Sequence, residues 1–358
     1  MDILVLNDGI KGNFNQSYGI AGAFPGGNIE IFNVSLKGPA YVLPGRKGSY
    51  PAMSKVLALI CRLNAWALGK RVLRASLGEG SQIPEREADI IISAGSVLAP
   101  VNLILARSSR KARSVQVMLP SWVPLNPFDF LVIPYHDFLR VKRRKPGNII
   151  VTLGAPNRIT ETFLKEESEK ARKVSGIQDT GRMTLGVIIG GDDQNYKISL
   201  PFVKKLMDAL GVPGNKHNFI FTTSRRTEDR VVSYLRERLP NEKAVAYAEF
   251  PGYSRVSCYP GILGLCDCLL VTEDSINMIS EAASSGVPVI IMGVGRKTGK
   301  KPVFDFTIER FVEKGYAEYV PTGKFNLLQQ KIEQAKNLRP VKLNESEKCA
   351  RKISAGRT

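Results

Sequence analysis

The chain has 358 residues, 43% of them apolar, enough for two ordinary globular domains with cores of their own. Its net charge of +18 calls for an anionic partner, while no apolar run approaches the roughly 18 residues that a membrane-spanning helix needs. The five cysteines are odd in number and lack framework spacing. Cys266-Asp267-Cys268 has no second cysteine pair or nearby histidine, so a disulfide scaffold and a zinc site are both excluded and reduced thiols are expected.

The first element, residues 3–6 of MDILVLNDG, reads as a buried strand. It has neither the basic region nor the apolar stretch of a signal peptide, so a cytoplasmic protein is expected. Asn7-Asp8-Gly9-Ile10-Lys11-Gly12-Asn13 follows at once, with two glycines that let the backbone turn tightly beside a ligand. Asp8 reads equally as a general base or as an Asx-turn or helix-capping residue.

A second strand is expected at 29–33, and then the composition changes. Residues 31–78 hold eight bases and no acid. Within them, 51–77 is helix-like, with apolar residues around most of its circumference and Lys55, Arg62, Lys70, Arg71 and Arg74 as its only charges. One reading is a core helix with snorkelling bases. The other is an interfacial helix that dips leucines and Trp66 into an anionic bilayer, and Arg46 and Lys47 among the neighbouring glycines and prolines favour it.

Further strands are expected at 90–92, 115–118, 130–133 and 149–151. His136 and Asp137 follow the third of these, where His136 suits acid–base chemistry, anion binding or a structural hydrogen bond. The charged stretch 161–175 and the following 176–181 read as a helix and linker. A second strand series then occupies 185–189, 218–222, 245–247, 268–271 and 289–292. Strand–helix alternation in both halves predicts an α/β protein of two Rossmann-like, doubly wound domains, at 1–175 and 182–338, with a polar, basic tail or helix at 339–358.

In the second half three loops stand where phosphate is bound in such sheets, directly after strands. They are Gly190-Gly191-Asp192, Thr222-Thr223-Ser224-Arg225-Arg226-Thr227 and Thr272-Glu273-Asp274-Ser275. The last opens a helix whose start offers free N–H groups, with Glu281 six residues on from Ser275. Asp274 or Ser275 as an ordinary helix cap, and solvated arginines, are the plainer readings. A dinucleotide fingerprint, a P-loop, HExxH and a Ser-His-Asp pattern are all missing.

NDGIKGNFNQ, SVQVMLP, FDFLVIPYHD and TLGAPNRIT in the first half, with GVIIGGDDQNY, FTTSRRT and YPGILGLCDCLLVTEDSINMISEAASSGVPV in the second, resemble in order the family of the plant "elongated mitochondria" fission protein. The likeness lapses at 39–77 and around 249–258. The resemblance implies two domains of the GT-B glycosyltransferase type facing a cleft, a nucleotide-sugar on the C-terminal domain, and Glu281 on its ribose. The resulting expectation is a sugar transferase working peripherally at the cytoplasmic membrane face on a lipid or lipid-linked acceptor. Asp8, or else His136 or Asp137, would be catalytic, with Gly9, Gly12, Asn13 and Gln16 on the acceptor side. No metal or cofactor is expected, because helix dipoles and arginines can stabilise a leaving diphosphate. The alternatives are a nucleotide-sugar 2-epimerase using Asp192 and Glu249, and a non-catalytic membrane scaffold. Nucleic acid is not expected, since the bases are not interleaved with aromatics.

Overall fold

The computed structural model describes the whole chain except residues 39, 43–48, 142–146, 179, 213–215, 255–256, 300 and 357–358, and the side chains of 40–42, 49 and 50. It divides into two compact units, Met1–Arg158 with Asn344–Thr358, and Ile159–Leu343.

The first unit is built on a parallel sheet of β1 (Asp2–Asn7), β2 (Asn28–Asn33), β3 (Ile90–Ala94), β4 (Arg113–Val117), β5 (Phe130–Pro134) and β6 (Ile149–Thr152), in the order β2-β1-β3-β4-β5-β6. Strands β3 and β5 are buried along their whole length, which is why they read as unbroken apolar runs rather than alternating ones. The helices are α1 (Lys11–Gly22), α2 (Ala52–Arg62), α3 (Trp66–Ser76), α4 (Ala99–Arg107) and α5 (Tyr135–Val141). A short antiparallel ribbon, Ala40–Val42 with Ser49–Pro51, precedes α2.

The second unit repeats the design with β7 (Thr184–Ile189), β8 (Asn218–Thr223), β9 (Val245–Glu249), β10 (Cys268–Thr272), β11 (Val289–Met292) and β12 (Glu318–Val320), in the order β9-β8-β7-β10-β11-β12. Its helices are α6 (Glu161–Ser175), α7 (Leu200–Leu210), α8 (Asp229–Arg238), α9 (Tyr259–Leu265), α10 (Ile276–Ser285), α11 (Val303–Glu313) and α12 (Leu328–Ala335). The last helix, α13 (Glu345–Ala355), belongs to the first unit.

Two boundaries differ from the sequence expectation, each for a packing reason. Helix α6 joins the second unit because Gly261 and Gly264 of α9 leave room for it: a Cβ at Gly261 would lie 2.3 Å from the Glu167 carbonyl oxygen. Of the tail or helix expected at 339–358, a helix forms at Glu345–Ala355, and 344–358 belong to the first unit. Cys349, Ala350 and Ile353 of α13 are fully buried in the first unit's core, Glu345 accepts the Leu153 N–H at 2.9 Å, and Ser346 exchanges two hydrogen bonds with Asn157.

The 51–77 stretch is also two helices rather than one. The chain breaks at 63–65, where Asn64 takes a left-handed φ of 53°. Leu57, Ala58, Cys61 and Leu73 face the core, and Trp66 and Ile60, both half-buried, pack against it. The opposite surface carries Val56, Leu59, Leu63 and Leu68, 45–68% exposed, beside the exposed Lys55, Arg62, Lys70, Arg71 and Arg74. Arg46 and Lys47 lie outside the described residues. No helix among the described residues is long and apolar enough to cross a membrane.

Candidate functional site

In a doubly wound sheet, successive strands run outward from the middle in both directions, and the loops at the carboxyl ends of the two strands flanking the reversal open a crevice. In the second unit those strands are β7 and β10. The loops after them, 190–192 and 272–275, meet the loop after β8, 224–227, so the three sequence-predicted loops do come together.

Asp274 is the hub. Its side chain is fully buried; Oδ2 accepts the Gly191 N–H at 3.0 Å and an Arg226 N–H at 2.9 Å, and Oδ1 accepts the Thr272 hydroxyl at 2.6 Å. Burial pushes its carboxyl above the ordinary range, opposed by the Thr272 hydrogen bond and the Arg226 charge. Thr272 Oγ1 also accepts the Gly190 N–H at 2.8 Å. Arg226 donates back to the carbonyls of Gly191 and Asp192, and the Thr227 hydroxyl to that of Gly190 at 2.6 Å. Glycine is required at both turn positions. A Cβ at 190 would lie 2.1 Å from Asp274 Oδ1, and one at 191 would lie 2.1 Å from the Arg226 carbonyl carbon.

Several of the expected phosphate-contact residues are engaged within the loops themselves. The Gly190 and Gly191 N–H groups are donated within the loops. Thr222 and Thr223 are buried at the end of β8, Ser224 is hydrogen-bonded to Arg226 and Thr227 of its own turn, and Asp274 is sealed beneath the glycines. Asp192 accepts the Ile198 N–H at 2.8 Å and pairs with Lys297 at 2.9 Å. Glu273, 1% exposed, accepts the Val294 N–H and the Tyr319 hydroxyl, each at 2.8 Å, and pairs with Arg296, which Asp305 holds from the other side at 2.6 Å.

What the crevice leaves at its surface is Arg225, exposed and without a carboxylate partner among the described residues, the outer part of Arg226, and the start of α10, where Ser275 caps Met278 N–H. Glu281, half-buried on α10, lies beside Tyr259 of α9, whose phenol is pushed well up by burial and then by that carboxylate. Sequence reasoning missed Tyr259, Arg296 and Lys297. The last two stand in Gly293-Val294-Gly295-Arg296-Lys297, a glycine and basic loop directly after β11, so the rule that found the other loops would have found this one. Glu249, the other candidate carboxylate for an epimerase, is 1% exposed and accepts the Ser257 hydroxyl and the Cys258 N–H.

In the first unit the reversal lies between β1 and β3. Asp8 sits there, half-buried. Its Oδ1 accepts the Ile10 N–H at 3.1 Å, making an Asx turn, and its Oδ2 accepts Asn13 Nδ2 at 3.0 Å. Each oxygen keeps a further lone pair for a substrate hydroxyl. Burial raises its carboxyl above the usual range, against the Ile10 and Asn13 hydrogen bonds. Across from it Gly95, at φ 83°, leaves room for Asn13: a Cβ there would be 2.8 Å from Nδ2. The Gly95 loop is held from below by a buried network in which Gln116 donates to the Gly95 and Val117 carbonyls and accepts from Ser93.

Gly9 is exposed and Gly12 half-buried at the same end, whereas Gln16 is 3% exposed and turned to Met118 in the interior. His136 and Asp137 begin α5 after β5, three strands and about 14 Å from β1, so they do not join Asp8. Burial holds the His136 imidazole below its usual pKa, against the pull of Asp137.

A model of the family described as mitochondrial fission ELM1 matches residues 11–356. An uncharacterized protein of Rickettsia prowazekii (strain Madrid E) is 26% identical over 328 residues, covering 81% of this chain and 83% of that one. Among solved structures, UDP-GlcNAc 2-epimerase from Methanocaldococcus jannaschii aligns with a TM-score of 0.57 at 17% identity, over 99% of this chain and all of that one. MurG of Acinetobacter baumannii aligns with a TM-score of 0.51 at 10% identity, over 99% of both chains. At these identities the likeness is one of fold, the two-domain GT-B type.

Proposed function

The chain belongs to the mitochondrial fission ELM1 family, and from that membership and the geometry of the second unit we propose that it is a glycosyltransferase. It takes a sugar from a nucleotide-activated donor held by the second unit and passes it to a lipid or lipid-linked acceptor. The observation that carries this reading is the convergence of three βα loops at the β7–β10 crevice, clamped by Asp274 and Arg226 beside the start of α10. Arg225, Arg226 and the helix start supply positive charge for a diphosphate, and Glu281 with Tyr259 flanks the same helix as a ribose contact. A nucleotide-sugar as ligand also fits the fold's occurrence in an enzyme named for UDP-GlcNAc. The epimerase alternative is weakened because Asp192 and Glu249, its acid–base candidates, are both engaged in holding loops.

Calorimetry with UDP and other nucleoside diphosphates tests the donor site. Arg225→Ala and Glu281→Ala should each weaken binding by about 1–3 kcal/mol, the worth of a lost charge-assisted hydrogen bond. Unchanged affinity in both folded variants would remove this donor site.

The acceptor side rests on α2 and α3. Their four exposed apolar side chains amid five exposed bases suit peripheral attachment to an anionic leaflet, on the cytoplasmic face, at about 1 kcal/mol per base near the surface. In vesicle flotation the protein should rise with anionic but not zwitterionic lipid, less so at high salt. The variant with Arg62, Lys70, Arg71 and Arg74 changed to Gln should stay behind. Equal flotation of the two proteins would contradict the membrane reading.

A further inference from the structure

We propose that a groove in the first unit, between the end of α2 and the loop that follows β4, holds the hydrocarbon chain of a phosphate-bearing lipid, with Arg62 on the phosphate. The proposal rests on the lipid-acceptor reading above and names where that lipid is gripped. The groove is open to solvent and has a volume of about 350 Å³, within the usual size of ligand sites. Leu119, Val123, Leu125, Val141 and two prolines line it together with Arg62 and Ser121, and its surface is about half polar and half apolar. Prolines fix their own φ, so the 118–127 wall is stiff and the groove is formed in advance of any ligand.

Three observations select the occupant. Arg62 is held in place, its Nε donating to the Trp122 carbonyl at 2.7 Å, yet has no carboxylate partner among the described residues, so it offers an uncompensated positive charge at the groove. The groove is continuous with the proposed membrane surface, since Arg62 stands between Leu59 and Leu63, 54% and 68% exposed on the same helix end. Its polar end leads to Asp8. Ser121 N–H donates to Ser96 Oγ at 3.1 Å, Ser96 adjoins Gly95, Gly95 packs on Asn13, and Asn13 donates to Asp8. A chain lying in the groove with its phosphate at Arg62 therefore sets the headgroup on the path to the candidate base.

The test measures binding of dodecyl phosphate, kept below its micelle concentration, by calorimetry to the full chain. Butyl phosphate should bind at least about 100-fold more weakly, because each buried methylene adds to affinity. Ser121→Trp, a change at an exposed position that plugs the groove, and Arg62→Gln should each weaken dodecyl phosphate at least about tenfold. Both variants should keep the wild-type melting temperature, and Ser121→Trp should still float with anionic vesicles. Equal binding of dodecyl and butyl phosphate, displacement by inorganic phosphate at equal concentration, or full-strength binding to Ser121→Trp would overturn the groove. If the wild type floats with vesicles but ignores dodecyl phosphate, the groove proposal fails and the membrane reading stands. If it does neither, the membrane reading fails and this inference with it.

Discussion

Gly191→Ala should cost at least about a hundredfold in nucleoside-diphosphate affinity and lower stability by about 1–3 kcal/mol. The added methyl would stand 2.1–2.4 Å from the Arg226 carbonyl group and the Thr227 nitrogen, which are backbone and cannot rotate away. The 224–227 loop must therefore move, taking Arg225 and Arg226 with it and pulling Arg226 off the buried Asp274. Overpacking of this kind costs roughly the stated energy, and a shift of about 1 Å in a binding group suffices for a loss of about 10². Urea unfolding and calorimetry with UDP measure the two effects. A variant that binds UDP as tightly as the wild type would show that the three loops need not be clamped for binding.

Asp8→Asn should lower turnover by about 10²–10⁴, the usual loss on removing a general base, while leaving nucleotide affinity unchanged. The amide oxygen can still accept the Ile10 N–H, so the Asx turn survives, but the side chain can no longer take a proton. The pH profile of the wild type carries a second signature. Burial raises the Asp8 carboxyl, and the base exists only above its pKa, so the rate should fall on acidification sooner than an ordinary aspartate would dictate. Near-normal turnover in the variant would remove Asp8 from the chemistry.

The main strands were legible because buried parallel strands write themselves as apolar runs, and eleven expected runs match strands of the two large sheets. The twelfth, β12, is the three-residue Glu-Tyr-Val at a sheet edge, too short and too polar to stand out. The loops were legible through their glycines and hydroxyls, but their internal wiring was not. Nothing in Gly190-Gly191 or Thr272-Glu273-Asp274 alone says that the donors of one loop are used by the acceptors of the other, since the partners lie 82 and 83 residues apart. The two faces of 51–77 were blurred for a related reason. The break at Asn64 resets the helical phase, so apolar residues from two differently oriented helices fill one wheel.

The central claim, that the second unit holds a nucleotide-activated sugar, is tested most directly by thermal unfolding of the intact chain with UDP, GDP, CMP and their sugar conjugates. One base series should stabilise the protein, by about 2.7 kcal/mol when present at about 100 times its dissociation constant. That stabilisation should vanish in Gly191→Ala and persist in Asp8→Asn. A folded wild-type protein that none of these ligands stabilises would contradict the claim.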